Sequence, residues 1–513
     1  MSNTANSTPG NPRSVQDYID ERPVWADGTH LPAVPMTKMQ RRIWMLAAAG
    51  KFFEGYVVFM TGVALPLIAR QFEIGPTQNG LVAAASLCGI LIGAVGLGSL
   101  SDRFGRKSMF IVEMIIFTTF LAAAVFCTSF VSLVLCLFGL GLALGCDYPT
   151  AHMIISENIP STSRGRLVLA AFAFQAVGAL AGTAVGYAVL VTVPNLNAWR
   201  WMFATAVLPA LIVTIGRFYV TESANWLFTR GKTEQATESA RRLLLRTPQY
   251  PQNIVLMPPS TSAEGSSHGS GSFLSLFKKR YRRATIFASV PWFLQDLSTY
   301  GIGIFTPTIL ATALGHQAEH VRSMSDLISN AILAARGDAM ITTLLIIGIA
   351  FAVLLADKVG RIKLQIFGFI GCAVGLFIAS LSVDVSGSLK IFLIFAGFML
   401  FDFMTNLGPN AQTYLLAGEV FPTAIRGKGA GFAAAFAKIG AVATAFLFPI
   451  LLDTIGTRLL LYGLVVASLL GAAVTWMYRI ETTGVNLDQI GEPETTPPQV
   501  APEPKPKARA AVA

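Results

Sequence analysis

Charged residues are scarce in this chain. Asp, Glu, Lys and Arg make up 13% of its 513 residues, whereas hydrophobic residues make up 53%. An average soluble domain carries roughly 25% charged residues. The composition therefore excludes a soluble globular protein and predicts a chain that crosses a membrane many times.

Cysteine is also rare. The chain has five cysteines, and it has neither a CxxC pair nor the even, regular spacing of a disulfide framework or a structural zinc site. We therefore expect no metal and no cofactor. All five fall inside apolar segments, where we interpret them as small core residues: Cys88, Cys127, Cys136, Cys146 and Cys372.

The net charge of +10 could indicate a nucleic-acid partner, but the cations lie in short segments beside apolar spans. In membrane proteins, such cations collect in the cytoplasmic turns and fix the topology. We therefore expect a lipid bilayer and no nucleic acid as partner. The expected location is the cell membrane, with several passes and both termini in the cytoplasm.

Twelve apolar segments are long enough to cross a hydrocarbon core as helices. The turns after the second, fourth, eighth and tenth segments are basic, whereas those after the first, third and fifth are nearly free of cations. The predicted spans are 43–69, 78–100, 108–127, 131–154, 167–192, 199–219, 284–313, 339–356, 364–383, 389–416, 427–452 and 457–479.

A polar stretch divides these spans into two sets of six. The N-terminal tail has no apolar core of the kind that a signal peptide needs, so we expect a loose cytoplasmic segment. The C-terminal tail is rich in Pro, Glu, Lys and Ala, which predicts disorder. The predicted parts are a polar tail 1–42, a six-helix bundle 43–219, a cytoplasmic linker 220–283, a six-helix bundle 284–479 and a disordered tail 480–513.

Two polar segments deserve separate interpretation. Residues 314–338 are predicted as an outer loop or a short amphipathic helix on the membrane, where His316 and His320 could bind a metal or simply be solvated. In the linker, Gly265, Ser267 and Gly269 have the spacing of a nucleophile elbow, but neither a strand nor a helix flanks them. We therefore expect that the protein is not an enzyme.

Two motifs recur in the same order in both halves. The run GSLSDRFGRK at 98–107 is matched by ADKVGRIK at 356–363, and Glu157 and Glu419 each precede an Arg-Gly pair by seven residues. The duplication predicts two pseudo-symmetric bundles. Acid and guanidinium pairs at helix ends can latch one helix to the next or merely anchor it; we favour the latch. The candidates are Asp102, Arg103, Arg106, Glu157, Arg164, Asp357, Arg361, Glu419 and Arg426.

The basic turns, together with ESANWL at 222–227, resemble the major facilitator superfamily. This resemblance implies an all-α membrane protein of twelve transmembrane helices that transports a substrate by alternating access. The sequence ESANWL departs from the PESPRWL common in sugar porters, which makes a sugar the less favoured substrate.

Polar residues inside the spans are expected to carry the function, because a central charge costs roughly 2.5 to 3.5 kcal/mol on insertion scales. Lys51 and Glu54 lie one helical turn apart and could neutralise each other. Trp292, Asp296 and Tyr300 follow a four-residue spacing, which places an aromatic wall and an acid on one helix face.

Further polar positions occur in four other spans. Asp147 and Tyr148 are adjacent in the fourth span, and Gln175 lies in the fifth. The glycine and proline of NLGPN at 406–410 should break the tenth span and turn Asn410 inward. Lys438 lies in the eleventh span. Two acids remain, Glu113 and Asp402, for which structural and coupling roles are equally open.

The runs GCDYP, FAFQ, WFLQDLSTY, NLGPN, GEVFPT and AAFAKIGA resemble the phosphate:proton symporters of that superfamily. The resemblance implies that Glu54 and Asp147 move protons, and Asp296 is a further candidate for proton coupling. Phosphate is recognised by hydroxyl, amide and indole donors and a cation, and Asp296 must hold a proton when an anion lies beside it. The implied substrate ligands are Tyr148, Gln175, Trp292, Asp296, Tyr300, Asn410 and Lys438.

The sequence therefore predicts a monomeric, proton-coupled importer of a small anion. Inorganic phosphate is the first choice, and an organic acid or another small metabolite is the second. A substrate-binding membrane receptor is the alternative from another class. It would need a large ordered signalling domain, whereas the linker is short and polar.

Overall fold

The computed structural model describes residues 13–22, 34–97, 100–245, 254–256, 276–314, 324–421 and 425–481. Nearly all of these residues are helical, and their extended pairing is limited to one bridge between Arg13 and Leu256. All five cysteines are free thiols.

Ten helices are described in the N-terminal half. A π-helical turn at Gly93–Leu97 extends the third of them. They are α1 (Val15–Asp20), α2 (Lys38–Phe72), α3 (Pro76–Ile92), α4 (Leu100–Phe104), α5 (Arg106–Val125), α6 (Phe130–Asn158), α7 (Ser161–Thr192), α8 (Ala198–Phe218), α9 (Ala224–Thr229) and α10 (Thr233–Leu243).

Six further α-helices are described in the C-terminal half. The last is interrupted at Gly456, where φ is 76° and ψ is 168°, and it crosses the bundle once before and once after this residue. These helices are α11 (Lys279–Leu314), α12 (Met324–Val359), α13 (Arg361–Leu381), α14 (Gly387–Leu407), α15 (Pro409–Ala417) and α16 (Arg426–Tyr478).

Within the described residues, ten helical stretches are long and apolar enough to span a membrane. The two passes of α16 count as one of these, and α11 is not among them. Polar residues such as Asp296 and Tyr300 lower the hydropathy of α11, although its 36 residues are ample for a crossing. With α11 and both passes of α16, the fold is the expected set of twelve helices in two bundles of six.

The two repeated basic turns have the same backbone geometry. Gly105 has φ 103° and ψ 152°, and Gly360 has φ 94° and ψ 141°. Each is the last residue before a membrane helix, in a region of φ that other residues rarely adopt. The Glu222 side chain of ESANWL accepts a hydrogen bond from the Lys107 backbone N–H at 2.9 Å, which caps the start of α5.

The two bundles meet along α2 with α11, α3 with α16, and α7 with α12. In the half away from the basic turns, their backbones approach closely: Gly62 lies against the Ile304 carbonyl, and Gly80 lies against the Phe446 carbonyl. A side chain at either glycine would collide with the facing helix. Backbone packing thus closes the bundle on this side.

The N-terminal tail is not loose where the structure describes it. Ser14 caps α1, and Tyr18 and Ile19 are buried in a cluster that includes Leu243 from the linker. The Asp20 carboxylate accepts hydrogen bonds from the Ser161 backbone N–H and hydroxyl, each at 2.7 Å. The expectation of a loose tail is wrong here, because a few apolar side chains within the polar stretch, such as Tyr18 and Ile19, pack against the rest of the protein.

The predicted outer loop is also partly wrong. Residues 324–338 belong to α12, which begins fifteen residues before the predicted span at 339. The segment carries Asp326 and Arg336, and because of these charges the sequence interpretation left it out of the span, although residues Ser325–Ala356 form one long apolar helical stretch. His316 and His320 lie outside the described residues, as do the linker residues Gly265, Ser267 and Gly269 and the C-terminal tail from 482.

Candidate substrate and coupling sites

A buried charged cluster joins the two bundles at their centre. The Lys438 ammonium nitrogen lies 3.2 Å from Asp296 Oδ2 and donates to the Tyr300 hydroxyl at 2.7 Å. The same nitrogen lies 3.5 Å from Glu54 Oε1. Lys438, Asp296 and Tyr300 come from the C-terminal bundle, whereas Glu54 comes from α2, so this contact crosses the interface.

Glu54 is the centre of a second set of contacts. Lys51 donates to its Oε2 at 2.8 Å, as the one-turn spacing predicts. Its Oε1 accepts from the Tyr300 hydroxyl at 3.1 Å and from the Gln175 amide at 3.3 Å. Because Glu54 also faces the other bundle, mutual neutralisation with Lys51 is only part of its environment.

The formal charges of this cluster sum to zero. Lys51 and Lys438 supply two ammonium groups, and Glu54 and Asp296 supply two carboxylates, all of them at most 6% exposed. Protonation of one carboxylate would leave a single positive charge, which an anion could then neutralise.

An aromatic layer lies between this cluster and the basic turns. Tyr414 of α15 stacks on Phe172 of α7 with ring centroids 4.5 Å apart, and it contacts Trp292 edge to face at 6.1 Å. The stack joins the two bundles through side chains alone. Side chains therefore cover the cluster on one side, whereas close helix backbones cover it on the other.

The NLGPN run breaks the tenth span as predicted. Helix α14 ends at Leu407, α15 begins at Pro409, and Gly408 between them has φ −111° and ψ −97°. The Asn410 amide donates to the Asn406 side-chain oxygen at 2.6 Å. Asn406 in turn donates to the Leu345 carbonyl at 2.9 Å, which orients the pair.

The central cavity is small in this conformation. It measures about 20 Å³, which is room for roughly one water molecule. Its polar lining includes Gln175, Thr299, Tyr300 and Asn410, so four of the predicted or adjacent polar groups face one space. A phosphate ion would not fit, and the bundles must move apart to admit one.

Asp147 lies in a separate cluster within the N-terminal bundle. The guanidinium group of Arg217, which is fully buried, contacts Asp147 Oδ1 at 2.7 Å and Glu113 Oε1 at 2.6 Å. It also donates to the Phe110 carbonyl at 2.7 Å. The second oxygen of Glu113 has no hydrogen-bond partner among the described residues. Two buried carboxylates thus share one cation.

In each half, the arginine of the basic turn pairs with the glutamate that precedes the Arg-Gly pair. Arg106 contacts Glu157 at 3.3 Å, and Arg361 contacts Glu419 at the equivalent place in the other half. In the described contacts Glu157 pairs with Arg106 of the basic turn and not with Arg164, the partner that the sequence favoured. Arg103 is exposed and lies over the Phe104 ring.

Some predicted residues cannot be placed by their side chains. Those of Tyr148, Asp102, Asp357 and Arg426 lie outside the described part of the chain. The structure brings together Gln175, Asp296, Tyr300, Lys438 and Glu54.

Sequence reasoning missed Arg217, Tyr414 and Asp338. Arg217 stands near the end of the sixth span, where a cation usually reaches toward the lipid headgroups. Only the packing of three helices shows that it is fully buried. Asp338 fell in the predicted outer loop, and the start of α12 at Met324 would have placed it inside a span.

Twelve apolar helices in two bundles, with a charged cluster between them, define a membrane transporter. A family model described as sugar (and other) transporter matches residues 43–493. The chain therefore belongs to this family of the major facilitator superfamily, and the fold and family are those of transporters rather than enzymes.

Curated relatives have several different substrates in their names. The chain is 27% identical over 457 residues to the putative metabolite transport protein YaaU of Escherichia coli, covering 88% of this chain and 95% of the relative. It is 28% identical to the probable inorganic phosphate transporter 1-12 of Oryza sativa, covering 87% of this chain and 90% of the relative. These similarities do not determine the substrate.

A solved structure shows the same fold. The proton:xylose symporter XylE, bound to 6-bromo-6-deoxy-D-glucose, aligns with a TM-score of 0.68 at 21% identity and covers 88% of this chain and 98% of XylE. At this identity the alignment supports the arrangement of the helices alone.

Proposed function

We propose that this protein is a proton-coupled symporter that imports a small anion, with inorganic phosphate as the first substrate to test. The observation that carries the proposal is the neutral cluster around Lys438, which becomes positive when Asp296 takes a proton. The tyrosine hydroxyl, the glutamine and asparagine amides and the Trp292 indole supply hydrogen-bond donors of the kind that phosphate oxygens accept.

Coupling follows from the contacts of Lys438. When Asp296 is protonated, it no longer competes for the ammonium group, and Lys438 can pair with the anion. When Asp296 loses its proton toward the cytoplasm, it again attracts Lys438 and repels the substrate. Loading and release of the anion are thereby tied to loading and release of a proton at one pair of residues.

The cluster of Asp147, Glu113 and Arg217 is the proposed second coupling element. Its two carboxylates and one guanidinium group leave a net charge of −1 in buried surroundings. Binding of one proton would make the cluster neutral. Since Arg217 also donates to backbone carbonyls on α2 and α5, a change in this charge balance acts on how those helices pack.

The direction and topology belong to the same proposal. The basic turns face the cytoplasm, as do both termini, in the cell membrane. One chain encloses the whole site between its two bundles, so a monomer suffices. The Arg106–Glu157 and Arg361–Glu419 pairs hold the cytoplasmic helix ends and open or close during alternating access.

A second candidate is an organic acid that carries a flat ring. The rings of Trp292, Tyr414 and Phe172 beside the cluster favour it, because aromatic side chains stack with planar ligands. Lys438 would then pair with a carboxylate instead of a phosphate. In this case the same proton coupling serves a different substrate.

The test is uptake of labelled phosphate by purified protein in liposomes. With the external medium acidic, we expect accumulation that stops when a protonophore dissipates the gradient. Unlabelled aromatic acids and D-xylose serve as competitors in the same assay. Absence of acid-driven phosphate accumulation, together with competition or uptake by one of these compounds, would replace phosphate with that substrate.

A further inference from the structure

Asp338 is a buried carboxylate that the proposed substrate and coupling sites do not use. It lies on α12 in the half of the molecule away from the basic turns, and it is 1% exposed. Its Oδ2 atom has no hydrogen-bond partner among the described residues. An ionised carboxylate in such a place is strongly disfavoured.

The surroundings of Asp338 include both bundles. Thr183 of α7, in the N-terminal bundle, lies beside it, and the buried Asp402 of α14 is the neighbouring titratable group. The apolar side chains of Leu310 and Phe395 close the space around the adjacent Gly337. The α7–α12 contact is one of those that join the bundles.

No cation contributes to the surroundings of Asp338 or Asp402 within the described residues. Arg336 is only two positions from Asp338, but residues two positions apart in an α-helix are separated by about 200° around its axis. The Arg336 side chain therefore lies on the opposite face, where it is exposed. Two buried acids without a cation cannot both be ionised at little cost, so this closed arrangement requires a bound proton.

The Thr183 hydroxyl lies close to two acceptors, the Ala179 carbonyl at 2.9 Å and the Asp338 carboxyl group. Its single hydrogen can be donated to one of them at a time. When that hydrogen is donated to the carbonyl, a neutral carboxyl at Asp338 can donate to the hydroxyl oxygen, whereas a carboxylate would face a lone pair.

We propose that Asp338 is a proton-binding site that controls closure of the bundles on the side away from the basic turns. When that side is open, water reaches the carboxylate and a proton binds from the outside. Closure then removes the water and packs the neutral carboxyl against α7. Closure on this side therefore requires the proton on Asp338. This inference extends the proton coupling proposed above, and it rests on the proposed orientation in which the basic turns face the cytoplasm.

The test measures closure directly and needs no substrate. Cysteines introduced at Thr192 and Ser329, both exposed near the same ends of α7 and α12, carry nitroxide labels in a full-length chain whose five native cysteines are replaced by alanine. Distances between the labels are measured in lipid nanodiscs from mildly acidic to mildly alkaline pH. We expect a short distance at acidic pH and a longer one as pH rises.

Asp338→Asn should lose this response and keep the short distance at every pH. Asp402→Asn leaves Asp338 and its burial unchanged, so the transition should persist. Asp453→Asn, an exposed carboxylate on α16, is the matched control and should behave as the parent chain does. A retained transition in Asp338→Asn, or its loss only in Asp402→Asn, would overturn the proposal.

Two further measurements test whether the transition depends on the fold of the variants or on ions other than the proton. Thr183→Val removes the facing hydroxyl without changing the acid or its burial, and the transition should persist. A transition that follows sodium concentration at fixed pH would show a cation site and overturn the proton assignment. Because no substrate enters the experiment, failed phosphate transport with an intact pH transition would reject phosphate and leave Asp338 as a proton site.

Discussion

Lys438 and Glu54 face each other across the interface between the two bundles, with the ammonium nitrogen 3.5 Å from a carboxylate oxygen. Lys438 also contacts Asp296 and Tyr300 within its own bundle. Any opening of the centre must therefore separate charges that now compensate each other. A substrate anion and a proton together can replace that compensation.

The first prediction concerns Lys438→Ala. We expect anion binding to weaken by about 10- to 100-fold, because hydrogen bonds to a charged group contribute roughly 1.5 to 3 kcal/mol. Equilibrium binding of labelled phosphate measures the effect. Lys51→Ala provides the comparison, since Lys51 contacts Glu54 but not Asp296 in the described pairs. Unchanged binding in Lys438→Ala would remove this residue from the substrate site.

The second prediction concerns Asp296→Asn. The amide mimics the protonated acid, so binding should be retained or tightened while release slows. Binding at several pH values and efflux from preloaded liposomes separate these effects. Much weaker binding at every pH would instead identify Asp296 as a direct acceptor for a hydroxyl of the substrate, and would favour a hydroxyl-rich metabolite over phosphate.

The third prediction concerns Asp147→Asn. The variant leaves Arg217 with one carboxylate, which imitates the balanced, protonated cluster permanently. We expect loss of proton-driven accumulation with some downhill exchange retained, measured by uptake and counterflow in the same liposomes. The exposed Asp453→Asn controls for the change of acid to amide. If Asp147→Asn still concentrates substrate against a gradient, coupling resides elsewhere.

The fourth prediction concerns the aromatic layer. Tyr414→Ala removes the stack with Phe172 that joins the bundles and the contact with Trp292 within the C-terminal bundle. It should speed exchange while lowering the accumulation ratio, because the centre is no longer well sealed. Tyr414→Phe keeps the rings and should stay close to the parent chain. Equal exchange rates in the two variants would show that the stack with Phe172 does not seal the centre.

The fifth prediction uses the two repeated glycines. Gly105→Ala forces a side chain into an unfavourable φ and toward the Glu222 carboxylate, whereas Gly360→Ala has the unfavourable φ alone. Each substitution should cost at least about 1 kcal/mol of stability and so lower the thermal midpoint in detergent. The midpoint of Gly105→Ala should be the lower of the two. Gly463→Ala, at a site with open space around it, should be neutral. Equal midpoints at 105 and 463 would contradict this account.

The sequence by itself determined the membrane class, the twelve spans and the duplication. Long apolar runs fold as helices in lipid because their backbone groups must bond internally, and the repeated basic turns mark equivalent helix ends. It also placed Asp296 and Tyr300 on one face, because helical spacing is local. The break at Gly408 followed from the adjacent Pro409 for the same reason.

Tertiary structure alone decided which polar residues meet. The contact of Glu54 with Lys438, the burial of Arg217 between Asp147 and Glu113, and the place of Asp338 against α7 all join helices far apart in the chain. Periodicity gives the face on which a residue lies but not the helix that it faces. The pairing depends on how the two bundles pack. The distance between their facing helices depends on small residues such as Gly62, which contacts a helix far away in the chain.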